Sequence, residues 1–429
     1  MSQAHGLTRS SDLPHAALAS ERLYDPSIVF LAGVLMTLGV AMVYSASVTV
    51  EGAGFNLRQW WNSPLKQCVF ALGGFLVMLV AAHVDYRIFA WQRPRDGWRP
   101  GVLTLLTLGL LIAVFIPGVG HESLGARRAI MILRGPPTIQ FQPSELAKVA
   151  LVIWLAALLT RPPGSELHRP RWRLIPWSRA KSPQPIARGD VRDFRTGFLP
   201  AVLSAGVLIG LTGIEDFGTA ALMGVVMLIL LFVGRARLTH LGLMGLAACA
   251  AGAALVIMKP HRVERIKTFM AETPDPMGAG YQINQALMAI GSGGWFGRGL
   301  GAGIQKYGYL PQDNNDFILA IICEELGVVG GAFVVLVFLA LLWRGWRIAV
   351  HAPDAFGRLL ALGLTMTITL QAAMNIGVVT NSIPTKGISL PFVSAGGSGV
   401  VFLGLAAGLL AAVGRTRSPA LSSESDEIG

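Results

Sequence analysis

The sequence predicts an all-α, polytopic integral membrane protein of about ten transmembrane helices, with one large extracytoplasmic loop between spans seven and eight. Three observations predict it. Hydrophobic residues fill 53% of the 429 positions and charged residues only 14%, with a mean hydropathy of +0.56, well outside the balance of soluble globular domains. Several runs, "IVFLAGVLMTLGVAMVYSAS" and "VLTLLTLGLLIAVFIPGVG" among them, reach the roughly 20 apolar residues that cross a hydrocarbon core of about 30 Å. Most of the 35 Lys and Arg residues fall in segments that a ten-span path with both ends inside places on the cytoplasmic side. Lipid makes each segment satisfy its own backbone polar groups, so the spans are read as helices.

Residues 1–27 form a polar cytoplasmic tail without a small-residue cleavage site, so the first apolar run is read as a retained span and not a removed signal. The ten spans follow at 28–48, 65–83, 101–118, 144–160, 197–213, 217–234, 239–258, 317–343, 356–380 and 393–414. Together they make one membrane domain, 28–414. Between spans four and five, 161–195 is Pro-rich and basic, either a solvated linker or a contact for anionic headgroups. Residues 415–429 are a polar cytoplasmic tail. Cys68, Cys249 and Cys323 lie in or beside apolar runs without metal-ligand spacing, which implies neither a disulfide framework nor a zinc site. The net charge of +11 is scattered over loops and carries no nucleic-acid-binding motif. No internal repeat stands out, which tells against an inverted-repeat transporter.

The segment 259–316 is too long for a plain connector, and loops of that length are usually functional or disordered. It opens with "HRVERIKTFM", where Val263, Ile266, Phe269 and Met270 recur at helical spacing. This reads as an interfacial helix, serving as an anchor or presenting Arg262 or Arg265 to a phosphate at headgroup height. Asp275 follows between Pro274 and Pro276, which restrict its backbone. Two readings of it stand: a turn residue, or a carboxylate beside glycines and cations that is able to take a proton from a sugar hydroxyl.

Polar residues inside spans also need a reason, because charge in lipid is expensive. "QFQPSELAK" opens span four with Pro143 suited to a first helical turn, and Glu145 and Lys148 share a face three residues apart. They either pair structurally or line a polar cavity. Glu324 and Glu325 raise the same question in span eight, whose N-cap is read as Asp316. Arg127 and Arg128 in "GARRAI" lie outside the membrane, "EDFGTA" forms a tight turn between spans five and six, and "NSIPTKGISLPFVSAGGSG", with Lys386, re-enters the membrane as irregular backbone lining a cavity.

These stretches, with "MVYSAS", "DPMGAGYQINQALMAIGSGGWFGRGLGAGIQKYGYLP" and "DFILAIICEELGVVG", cover nearly the whole chain. They resemble the SEDS family of shape, elongation, division and sporulation proteins, and the "PTKG" lysine points to its division branch. The resemblance implies a ten-span enzyme of the inner membrane at the division septum. Such an enzyme polymerises lipid II, the undecaprenyl-pyrophosphate disaccharide pentapeptide, into peptidoglycan strands. It implies Asp275 as the catalytic base on the acceptor GlcNAc 4-hydroxyl. Arg262, Arg265, Arg127, Arg128, Glu145, Lys148, Gln282, Lys306, Lys386 and Ser398 are implied as substrate-binding positions. It fixes no cofactor: either protein cations or a divalent cation, Mg or Mn, offset the leaving pyrophosphate in the family picture. The implied partners are a class B penicillin-binding transpeptidase, other divisome proteins and membrane lipids. The chain departs from the family pattern at Ala129, at Asn314 and in "SAGGSG". Two rival readings stand: a lipid II flippase, which would use the same charges but break no bond, and a non-catalytic divisome scaffold, which has no need of a carboxylate at Asp275.

Overall fold

The computed structural model describes residues 24–47, 64–91, 98–123, 126–133, 139–161, 191–271, 280–306, 315–385 and 387–415. Asp275, Lys386, most of the basic insert and both tails lie outside the described residues, as does the side chain of Arg127.

Each of the ten expected spans coincides with a helix. They are α1 (Pro26–Ser47), α2 (Pro64–His83), α3 (Trp98–Ala113), α4 (Pro143–Leu159), α5 (Leu199–Glu215), α6 (Phe217–Val233), α7 (Leu238–Ile257), α10 (Ile318–His351), α11 (Ala355–Val379) and α12 (Ser398–Val413). Between α7 and α10 stand α8 (Pro260–Met270) and α9 (Tyr281–Gly293). Among the described residues five helices, α1, α2, α7, α10 and α11, are long and apolar enough to cross a membrane by length and composition. The mostly helical fold agrees with the sequence expectation. It has one addition: an antiparallel sheet, β1 (Gly120–Ser123), β2 (Ala126–Leu133) and β3 (Ile139–Phe141), that pairs Gly120 with Ile130 and Ile130 with Phe141.

The core centres on α4. Its residues from Pro143 to Leu158 are buried but for Trp154, and it packs against α3, α5, α6, α11 and α12. In contrast, α7 buries only Met244 and lies at the edge, with α6 and α8 as neighbours. Local signals start the helices as physics asks: Pro143 occupies the first turn of α4, where its missing N–H costs nothing. Asp216 caps α6 by accepting from the Thr219 N–H at 3.0 Å and hydroxyl at 2.8 Å. At the opposite end of the bundle Arg344 meets Asp25 at 2.6 Å, and Tyr86 and Arg87 both donate to Asp354, at 2.6 and 3.0 Å.

Two irregular segments lie against the helical body, and hydrogen bonds to protein groups hold each of them. Residues 380–397 lead from α11 to α12 through buried Ile388, Leu390, Phe392, Val393 and Ser394. There Asn375 donates to the carbonyls of Asp316 and Ile388 at 2.8 and 2.7 Å, and Gln371 donates to the carbonyl of Ser389 at 3.0 Å.

The second irregular segment, 294–306, docks into a break in α10. At Gly327 (φ 70°) the helix loses its regular bonding. The Val328 and Val329 N–H groups go to the carbonyls of Gly294 and Trp295, while the carbonyls of Glu324 and Glu325 accept from Arg298 and Gly299. Four loop-to-helix bonds thus take the place of helical ones, and a kink has its named cause. Only glycine fits at the crossing. A Cβ on Gly297 would overlap the Glu325 carbonyl, and one on Gly327 the Trp295 carbonyl, each from a positive φ.

Candidate functional site

Charged side chains gather at the end of the bundle that carries the sheet and α8. Arg128 of β2 donates to the carbonyl of Glu215 at 3.2 Å, and its guanidinium lies close to Gly387, which Asp316 also borders. Asp216, at the start of α6, is buried and accepts from the Gln142 amide at 3.4 Å. A cavity of about 20 Å³ sits among Arg128, Ser144, Thr212, Glu215 and Asp216, room for a single water.

Asp316 is not the cap of α10. The N-cap is Phe317, which provides no side-chain bond, and the Asp316 carboxylate belongs to the arginine cluster instead. Its pKa is pushed up to about 6, first by burial and then by Asp216, against the pull of Arg128 and Arg265. Burial, followed by the like charge of Arg128, holds the Arg262 and Arg265 guanidiniums below their ordinary values.

The two α8 arginines do different things. Arg262 is committed to backbone: it donates to the carbonyls of Leu255 at 3.0 Å, Ile214 at 2.9 Å and Gly213 at 3.3 Å, and lies over the Phe217 ring at 5.6 Å. It thereby ties α8 to the ends of α5 and α7. Arg265 makes no such bonds among the described residues, and the charges of Arg128 and Asp316 act on it.

Beneath this layer lies a second one. Lys148 contacts Glu145 at 2.8 Å, with side-chain exposures of 3% and 9%, and donates to the Gln371 side-chain oxygen Oε1 at 2.5 Å. The Glu145 Oε2 has this charge partner but no well-directed hydrogen bond among the described residues. Ser398, which opens α12, accepts from the Gln142 N–H at 3.1 Å, and the adjoining Gly399 borders the Glu145 carboxylate. Of the two sequence readings of Glu145 and Lys148, the structure shows the pairing.

The remaining candidates sit apart. Gln282 is half-buried in the first turn of α9. Lys306 is enclosed, 2.8 Å from Glu325 and 2.8 Å from the Gly301 carbonyl. Gln371, Asn375 and Asp216 were not singled out from the sequence. Their signal was present for the first two: an amide pair four residues apart in "LQAAMN", in the middle of an apolar helix. No three His, Cys, Asp or Glu side chains among the described residues lie together so as to hold a metal ion. A groove of about 840 Å³ between α1 and α2 is mostly apolar and lies away from these charges.

Comparison with known proteins places this arrangement. The profile of the FtsW, RodA and SpoVE family, described as "Cell cycle protein", matches residues 26–418. The chain belongs to this family, the SEDS proteins. It is 38% identical over 389 residues to a probable peptidoglycan glycosyltransferase FtsW of Geobacter sp. (strain M18), covering 90% of this chain and 95% of that one. It is 37% identical to stage V sporulation protein E of Bacillus subtilis (strain 168), covering 91% and 97%. Among solved structures it resembles a chain described under the structural coordination of polymerization and crosslinking by a peptidoglycan synthase complex. That match has a TM-score of 0.65 and 26% identity, with 91% of this chain and 97% of that one covered. The rod shape determining protein RodA of Thermus thermophilus matches at a TM-score of 0.57 and 25% identity, covering 94% and 100%. As a SEDS protein with these apolar helices, the chain is a multi-pass membrane protein.

Proposed function

We propose that the chain is a peptidoglycan glycosyltransferase that polymerises lipid II during septal wall synthesis. The observation that carries this reading is kinship along the whole length, 38% identity over 90% of the chain and 95% of a relative named for that activity. The charged layer under α8 suits a diphosphate substrate, with Arg265 and Arg128 facing the anion and Asp216 and Asp316 holding the cations in place. All ten long helices cross the membrane, the termini are cytoplasmic, and the 259–316 segment is extracytoplasmic.

In this reading Asp275, by family resemblance, is the general base. Its carboxylate takes the proton of the acceptor GlcNAc 4-hydroxyl as that oxygen attacks the anomeric carbon of the donor MurNAc. The bond from that carbon to the polyprenyl pyrophosphate breaks, and the leaving group departs with the electron pair. Guanidinium groups offset the growing charge. The donor carries its own activation, so no nucleotide enters, and every step is assigned to protein groups. A class B penicillin-binding transpeptidase is the partner that crosslinks the product. This follows from the likeness to a chain of a peptidoglycan synthase complex.

The test is purified protein with labelled lipid II, with and without the transpeptidase, read as glycan ladders on a gel. Asp275→Asn abolishes the ladders and leaves the unfolding temperature unchanged. Undiminished ladders from Asp275→Asn refute its role. Transport of lipid II across vesicles with no ladder, or neither activity, refutes the enzyme and supports the flippase or the scaffold respectively.

A further inference from the structure

We propose that Lys306, Glu325 and Ser45 form a positioning lock that sets the place of α9 for the polymerisation reaction. The link to the reaction rests on the function proposed above. The lock itself is a matter of geometry.

Lys306 and Glu325 meet at 2.8 Å with side-chain exposures of 1% and 0%. The Ser45 hydroxyl of α1 donates to Glu325 Oε2 at 2.6 Å, and the Lys306 ammonium lies 3.3 Å from the same hydroxyl and 2.8 Å from the Gly301 carbonyl. Three parts of the chain distant in sequence are thereby joined: α1, α10 and the 294–306 loop. The neighbouring carboxylates hold the loop backbone. Glu325 accepts from the Gly301 N–H at 3.0 Å, and Glu324 accepts from Ile304 at 2.8 Å and from Gln305 at 3.3 Å. Arg298 reaches Glu324 only at 4.0 Å, whereas Lys306 is in close contact with Glu325.

An enclosed ion pair of this kind adds little net stability over an apolar replacement of the same shape. What it fixes is register, because the charges must meet for the loop to seat. Seated, the loop is the C-terminal support of α9. That helix is 13 residues long, about 20 Å. It lays Ile283, Ala286, Ala289 and Gly293 inward and packs on α10. Its other end begins at Tyr281, six positions after Asp275. A rod held at its C-terminal end has the position of its first turn set as well. The enclosure of Lys306 also removes it from direct contact with a lipid-linked sugar.

The test uses full-length protein in micelles, with Lys306→Met, Glu325→Gln and the double variant, and two readouts. Amide hydrogen exchange over 281–306 and 324–329 reports the seating of the loop without reference to activity. Lipid II polymerisation reports kcat and KM. The lock requires exchange at Arg298, Gly299, Val328 and Val329 to quicken at least tenfold in all three variants. It also requires kcat to fall at least tenfold at unchanged KM, and to stay low in the double variant even where the unfolding temperature recovers. Unchanged exchange overturns the lock. So does kcat that returns with stability in the double variant, since a purely structural pair behaves that way. A raised KM in Lys306→Met, with kcat kept, overturns it in favour of substrate contact. If the wild type makes no polymer, the proposed function fails, and the exchange result still decides whether the lock exists.

Discussion

Lys148→Met isolates one carboxylate in the middle of the bundle. In the native chain the Lys148 ammonium stands 2.8 Å from Glu145, an attraction of about 6 kcal/mol at an effective dielectric near 20. Desolvation of the two ions offsets most of that, several kcal/mol for each. The pair as a whole is therefore near neutral, but each half is not. Removing the lysine leaves Glu145 charged, buried and without its partner, which costs about 3 to 5 kcal/mol, and it strips the 2.5 Å donor from the Gln371 oxygen, about 1 to 3 kcal/mol more where water does not replace it. Glu145→Gln/Lys148→Met removes both charges at nearly constant volume and should lie within about 2 kcal/mol of the native chain. The assay is equilibrium or thermal unfolding in one micelle, read as a double-mutant cycle. A single variant as mild as the double, below about 1 kcal/mol, refutes the reasoning, because Glu145 would then have water or another cation in reach.

Four further outcomes follow from the site and the loop. Gly327→Ala forces a Cβ against the Trp295 carbonyl at φ 70° and should cost more than about 2 kcal/mol of stability, with faster hydrogen exchange at Val328 and Val329 as the direct check. Asp316 holds its proton more tightly in the folded chain, at about 6 against an ordinary 3.8. Its contribution to stability is therefore fully present below about 4 and is lost as pH rises through 6; unfolding temperatures at pH 4 to 7 should show this decline, and Asp316→Asn should flatten it. Arg265→Ala should leave the unfolding temperature nearly unchanged and raise KM for lipid II about tenfold, the worth of one charge-assisted phosphate bond. Arg262→Ala should instead speed exchange throughout α8, since its bonds run to the carbonyls of Leu255, Gly213 and Ile214.

The helices were legible because their signal is composition over about 20 residues, and every expected span has its helix. The sheet was not, since "ARRAIMIL" alternates poorly and its pairing with Gly120–Ser123 and Ile139–Phe141 is a non-local choice. Asp316 illustrates the limit of local rules. A carboxylate before an apolar run reads as a cap, yet two arginines from β2 and α8 compete for it and the helix starts uncapped. Glu145 and Lys148 were readable because their partner is three residues away. The partners of Lys306 and Glu325 include Ser45, 280 positions from Glu325 in the chain, and no spacing rule reaches that far. Arg262 and Arg265 looked alike on a helical wheel, and only the neighbouring helix ends separate them.

The break in α10 also constrains evolution and engineering of the chain. Two carbonyls at 294 and 295 and two amides at 298 and 299 meet groups spaced identically across the helix gap, so the insert works like a key cut for a single ward. One residue added or removed between 295 and 298 would put one pair of bonds out of register with the other. Tags, linkers and loop grafts belong elsewhere in this chain.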